Sequence, residues 1–146
     1  MNRRTYALAL ALLGGTFLAT GCANMAASAN TATPSKLVIQ VSDGDAAKWN
    51  LALNNARNAQ HDLGADKVKI EIVAFGPGID MLTADSSVAD RVSEAVKSGV
   101  QVAACENTMA AKKLTKADMN PSIGYASSGV VEIMRREQEG WSYLRP

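Results

Sequence analysis

Short apolar runs rich in β-branched residues alternate along this chain with segments of helical period, and that alternation most narrows what it can fold into. Lys36–Val41 (KLVIQV) is the first such run and ends in the turn residues Ser42-Asp43-Gly44. From Asp45 to Leu63 apolar side chains recur at helical spacing (Ala46, Trp49, Leu53, Ala56, Ala59, Leu63), with Asp43 or Asp45 as the cap and Gly64 as the stop. Lys67–Phe75 (KVKIEIVAF) alternates at first, with Val68, Ile70 and Ile72 on one face. It then turns wholly apolar and runs into Gly76-Pro77-Gly78. A second helix is predicted over 85–98, capped near Asp85 or Ser86, with Gly99 ending it. Val100–Ala104 reads as the third strand, with Cys105 at its end. Asn107–Leu114 reads as a short helix, Lys116–Pro121 as a loop and Ile123–Ala126 as the fourth strand. Val130–Glu139 reads as a helix with Gly129 as N-cap and Gly140 as C-cap, and Trp141–Leu144 adds a short final strand.

Strand–helix alternation of this kind predicts an α/β fold with a mainly parallel sheet covered on both faces and right-handed crossovers. In such sheets ligands and chemistry gather beyond the carboxyl ends of the strands. Three strand ends are therefore of interest: Ser42–Asp45, Gly76–Gly78 and Cys105–Thr108.

Composition removes several function classes. The chain has 15 basic and 14 acidic residues and no run of three Lys or Arg, so it lacks the basic face that nucleic acid requires. Two Cys and one His argue against a disulfide scaffold and against a zinc site. No motif asks for a metal or a cofactor, and neither a dinucleotide fingerprint nor a P-loop is present.

Residues 1–21 read as a targeting signal. Arg3 and Arg4 supply a positive start, and Tyr6–Leu18 is apolar apart from small residues. The stretch falls short of the roughly 20 apolar residues of a membrane span. Two processing readings stand side by side. Leu18-Ala19-Thr20-Gly21-Cys22 is lipobox-like, which would make Cys22 the lipidated first residue of a bacterial periplasmic lipoprotein. Ala27-Ser28-Ala29 is instead a cleavage site that would release a soluble periplasmic product. Residues 22–35 then form a flexible tether and 36–146 the domain, and the membrane is touched only through a lipid on Cys22. Loss of the leader removes two arginines and no acid, taking the net charge from +1 to −1. It also leaves Cys105 as the only thiol, which is unusual in an oxidising compartment.

Cys105 is the main candidate for chemistry. It lies where a strand hands over to a helix, so free N–H groups and the positive end of the helix dipole can stabilise a thiolate. Glu106 opposes this by charge unless its side chain points away. The blander reading is an inert core cysteine. With no C-x-x-C, a dithiol oxidoreductase within one chain is disfavoured. Gly76-Pro77-Gly78 can bring backbone N–H groups to an anion or to the thiol, or can be a plain tight turn. Asp43 and Asp45 can bind a cation or act as a base, or can be helix caps. His61 reads as a solvated residue near a helix C-terminus. Asn50, Asn54 and Asn55 are poor helix formers clustered on one helix, and such a cluster marks a subunit or ligand surface.

Four segments in order carry a resemblance. They are Ser42–Ala56 (SDGDAAKWNLALNNA), Val73–Ile79 (VAFGPGI) followed by Met81-Leu82, Gly99–Met109 (GVQVAACENTM), and Ser128–Ile133 (SGVVEI) with Gln138–Trp141 (QEGW) and a closing Tyr143–Pro146 (YLRP). Together these resemble the exported branch of the DsrE/DsrF-like proteins over residues 36–146. The resemblance implies a three-layer sandwich around a mostly parallel sheet of about five strands, and assembly into homo-trimers or hexamers. In cytoplasmic relatives a cysteine at the matching strand end carries sulfur as a persulfide, and Cys105 inherits that position.

The resemblance therefore implies a thiol sulfur carrier with a sulfur donor and an acceptor protein as partners. Gly76, Pro77 and Gly78 and the N–H groups of Asn107 and Thr108 would line its pocket, with Asp43 and Asn50 shaping the rim. The alternatives are a non-catalytic binding or assembly module with a packed Cys105, and a redox-sensing thiol that forms disulfides between subunits.

Overall fold

The structure is a computed structural model that describes residues 33–146. The predicted leader, both predicted cleavage sites, Cys22 and most of the predicted tether lie outside the described residues. The strands are β1 (Ser35–Val41), β2 (Val68–Ala74), β3 (Gln101–Cys105), β4 (Gly124–Ala126) and β5 (Ser142–Leu144). The helices are α1 (Ala46–Leu63), α2 (Ala89–Lys97), α3 (Glu106–Ala111) and α4 (Gly129–Gln138), with 3-10 turns at Gly76–Leu82 and Lys116–Asp118. The sheet has five strands in the order β4-β3-β2-β1-β5, every pair parallel.

That order decides which face each helix covers. From β1 to β4 the chain steps outward in one direction, so right-handed crossovers put α1, α2 and α3 on one face. The connection from β4 back to β5 runs the other way, and α4 lands alone on the opposite face. The core divides accordingly. Ile39, Val41, Ile70, Ile72, Ala74, Val102 and Ala104 point to the first face and pack against Trp49, Leu53, Val92 and Met109. The second face buries a small cluster of Val38, Val73, Ile133 and Trp141, flanked by Phe75. Strands covered on both sides read as continuous apolar runs, as the end of KVKIEIVAF does.

Asp45, and not Asp43, caps α1, its Oδ1 accepting from the Ala47 amide at 2.8 Å. The second helix starts later than its sequence suggests. Neither Asp85 nor Ser86 caps it, and Val88 stands at that position. The preceding chain is held elsewhere, by the Thr83–Met119 bridge and by the Ala84 amide donating to the Asp118 carbonyl at 2.9 Å. Gly129 is not the cap of α4 but its first residue, after Ser128. A Cβ there would sit 2.9 Å from Cδ1 of Phe75, so glycine is present for close packing rather than for capping.

Candidate functional site

Neighbouring strands whose following helices leave to opposite faces open a crevice at their carboxyl ends. Here those strands are β3 and β4, with α3 leaving to one face and α4 to the other. Cys105 sits in that crevice as both the last residue of β3 and the N-cap of α3. Val102 and Ala104 face the larger core, so the pleat turns Cys105 toward α4. The Gly129 amide at the start of α4 donates to Cys105 Sγ at 3.2 Å.

The remaining partners come from the first turn of α3. The Thr108 hydroxyl and the Thr108 and Asn107 amides stand around the sulfur, where they favour its charged form. Thr108 is itself held by a bond from the next strand end. Gly76 N–H donates to Thr108 Oγ1 at 3.1 Å, so the oxygen's single proton is free to point at Sγ. The groups around the sulfur offer N–H and O–H donors, an arrangement that favours a thiolate. Burial pushes the Cys105 thiol up, but the Thr108 hydroxyl and the Gly129, Thr108 and Asn107 amides outweigh it, and the thiol lies below its ordinary range. Glu106 turns outward, its carboxylate 3.9 Å from Lys116 Nζ. Cys105 is 5% exposed, which limits its sulfur to small reagents or to partners that shift the start of α4.

Several residues singled out from sequence meet at this rim. Gly76 bonds Thr108, and Pro77 lies against the β1 turn, where a Cβ on Gly44 would be 3.4 Å from its own. Gly78 lies on the end of β1, where a Cβ would come within 2.3 Å of the Val41 carbonyl oxygen. The three residues open a 3-10 turn that continues to Leu82. Asn107 also ties the two helix starts together, its amide donating to the Ser127 carbonyl at 3.2 Å. Asp43 stands on the neighbouring β1 turn, where its carbonyl accepts from Trp49 Nε1 at 2.7 Å and its carboxylate lies 3.5 Å from Arg145. Asn50 is not brought to the thiol. It lies on α1, on the other side of the sheet, bonded to Arg91 and to the Ala46 carbonyl. His61 is exposed and paired with Asp62.

Sequence reasoning missed the Thr108 hydroxyl and the Gly129 amide as sulfur partners. It also missed Glu71, a carboxylate only 4% exposed beneath α4. Arg136 meets Glu71 through Nε, Glu132 at 3.1 Å and Glu139 at 3.3 Å, and stacks 4.6 Å from the Trp141 ring centroid. Burial raises the Glu71 carboxyl above its usual range, with Arg136 pulling it down and Glu132 pushing it up. The sequence signal was there, since Glu71 alternates with Ile70 and Ile72 and so belongs to the second face.

The chain is 37% identical to a protein of unknown function from Methanobacterium thermoautotrophicum, with a TM-score of 0.73 over 77% of this chain and 99% of that one. A conserved protein of unknown function from Bacteroides thetaiotaomicron shares the fold at 18% identity, with a TM-score of 0.64 over 77% of this chain and 95% of that one. So does the ychN protein of E. coli at 8% identity, with a TM-score of 0.63 over 78% and 100%. No curated protein matches. The DsrE/DsrF-like family matches residues 35–146, the whole of the sheet and its helices, and the chain belongs to that family.

Proposed function

We propose that this protein is a thiol-based sulfur carrier of the cell envelope, in which Cys105 accepts a sulfane sulfur and hands it on. The observation that carries the reading is the bond from the Gly129 amide to Cys105 Sγ, with the donors of Thr108 and Asn107 beside it holding the thiol below its ordinary range. A thiolate is the attacking form in sulfur transfer, and a stabilised thiolate is also the better leaving group. In the loading step Cys105 thiolate attacks a sulfur of an inorganic polysulfide. An S–S bond breaks, Cys105 persulfide forms, and the electron pair leaves on the shortened polysulfide. In the handing-on step an acceptor thiolate attacks the outer sulfur, takes it as its own persulfide and frees Cys105 thiolate. Neither step needs an outside oxidant or reductant.

The envelope location rests on the leader at 1–21, with anchoring through a lipid on Cys22 or free release after Ala29. Among the described residues no helix is long and apolar enough to cross a membrane. Assembly into a homo-oligomer, a trimer or hexamer, is supported by the outer side of α4. Val130, Val131 and Met134 are 55%, 60% and 52% exposed there, on the one helix that covers its face.

The test is the intact mass of the purified protein after treatment with polysulfide, beside Cys105→Ser. A reductant-reversible gain of whole sulfur atoms, absent from the variant, is expected. Equal uptake by the variant, or none by either protein, sinks the carrier. A second reading, an assembly module with a packed thiol, is favoured by the low exposure of Cys105 and by the apolar side of α4. It requires Cys105 to resist alkylation until the protein unfolds.

A further inference from the structure

We infer that the cleft between α1 and α2 binds a small organic carboxylate, held by Arg57 and Arg91. This site lies on the face of the sheet away from Cys105 and does not depend on the sulfur reading.

The Asn residues of α1 serve these two arginines. Arg91 of α2 donates through Nη1 to Asn50 Oδ1 and through Nη2 to Asn54 Oδ1 at 2.8 Å. Arg57 reaches the same Asn54 oxygen at 3.4 Å. Asn50 is oriented for this by its own amide, which donates to the Ala46 carbonyl at 2.8 Å. Two guanidinium groups thus converge on one neutral oxygen. Neither forms an ion pair among the described residues, whereas Arg135, Arg136 and Arg145 all do. An acid at position 50 or 54 would hold Arg91 more strongly and cancel its charge. Asn holds the geometry and leaves the charge in place, although it is a poor helix former.

The two arginines line a cleft of about 210 Å³ whose apolar lining is Ala56, Ala95 and Val100. Gln60 borders it, its amide donating to the Ser98 carbonyl at 2.8 Å. Glu94 is its only acid and pairs with neither guanidinium. A carboxylate matches the planar forks of two guanidinium groups, and an apolar lining suits a short carbon chain attached to it.

The experiment is an amide NMR titration of the purified protein with butyrate, with chloride as the ionic-strength control and inorganic phosphate as a second probe. Saturable shifts at Ala56, Ala95 and Ser98 are expected with butyrate and not with chloride. Arg57→Gln should weaken that binding at least tenfold. Asn54→Asp should do the same while keeping an oxygen on Arg91, so its melting temperature should not fall. Shifts with butyrate that track chloride, or saturable binding unchanged in both variants, would overturn the site. Phosphate binding as tightly as butyrate would overturn its assignment to an organic anion.

Discussion

The amide of Gly129 lies 3.2 Å from the sulfur of Cys105, although 24 residues separate them. The contact is a consequence of strand order. Because β4 lies beside β3 and the chain then turns back toward β5, α3 and α4 leave the sheet in opposite directions from adjacent strand ends. Both helix starts therefore present free N–H groups to the one side chain between them, and two dipoles favour negative charge at the same atom. With β4 elsewhere in the sheet, Cys105 would keep the first turn of α3 and lose the donor from α4.

Thr108 tests how much of this arrangement acts on the thiol. Thr108→Val keeps the shape and the amide but removes the hydroxyl that accepts from Gly76 and helps lower the thiol. The thiol should move up toward its ordinary range. Alkylation at pH 7 should slow by roughly threefold to tenfold, the scale of one charge-assisted hydrogen bond partly offset by the greater nucleophilicity of a more basic thiolate. The check is the rate of iodoacetamide modification against pH. An unchanged profile would mean that the amides alone set the thiol.

Gly129→Ala probes the other donor through packing. The added Cβ would lie 2.9 Å from Cδ1 and 3.1 Å from Cβ of Phe75, so the start of α4 must shift. Overpacking of this kind costs about 1–3 kcal/mol, read as a lowered urea midpoint. The same shift should carry the 129 amide off the sulfur and slow alkylation. Phe75→Leu beside it removes part of the clash, so the double variant should regain both stability and thiol reactivity. Recovery of stability without reactivity would separate the amide from the chemistry.

The parts legible in the chain were those written in local pattern. Runs such as KLVIQV and KVKIEIVAF gave β1 and β2 to within a residue or two, and the handover at Cys105 was visible because the apolar run Val100–Ala104 stops there. Contacts that depend on strand order were not visible. Thr108 was named for its amide, whereas its hydroxyl is held beside the sulfur by Gly76 of a different strand end. Asn50 and Asn54 were read as a surface, but their partner is Arg91, 41 and 37 residues away. Asp85 and Ser86 looked like caps, and tertiary pinning at Thr83 and Ala84 overrode them.

Glu71 gives a pH-dependent expectation. Its folded-state pKa is raised, chiefly by burial, above the ordinary glutamate value of 4.5. The folded protein therefore holds this proton more tightly than the unfolded chain does. The group's contribution is fully present below pH 4.5 and is lost as pH rises through the raised folded value. Glu71→Gln, which mimics the protonated form, should gain stability relative to wild type as pH is raised from 4.5 to neutrality. Urea midpoints at several pH values check this. A variant that instead loses ground with rising pH would show that Arg136 outweighs burial and holds the carboxyl down.

Met134 addresses the proposed assembly. It is 52% exposed in the middle of α4, so Met134→Glu removes little core packing and should leave the thermal midpoint of an isolated subunit nearly unchanged. If α4 packs against another copy, the substitution buries an unpaired carboxylate in an apolar contact, which is strongly unfavourable. The expected result is a fall in mass to that of the monomer by light scattering, with the helical signal retained. Val131→Lys, one turn nearer the thiol, should act in the same direction. An oligomer that survives both changes would place the interface away from α4 and leave that apolar surface free to receive the sulfur acceptor beside Cys105.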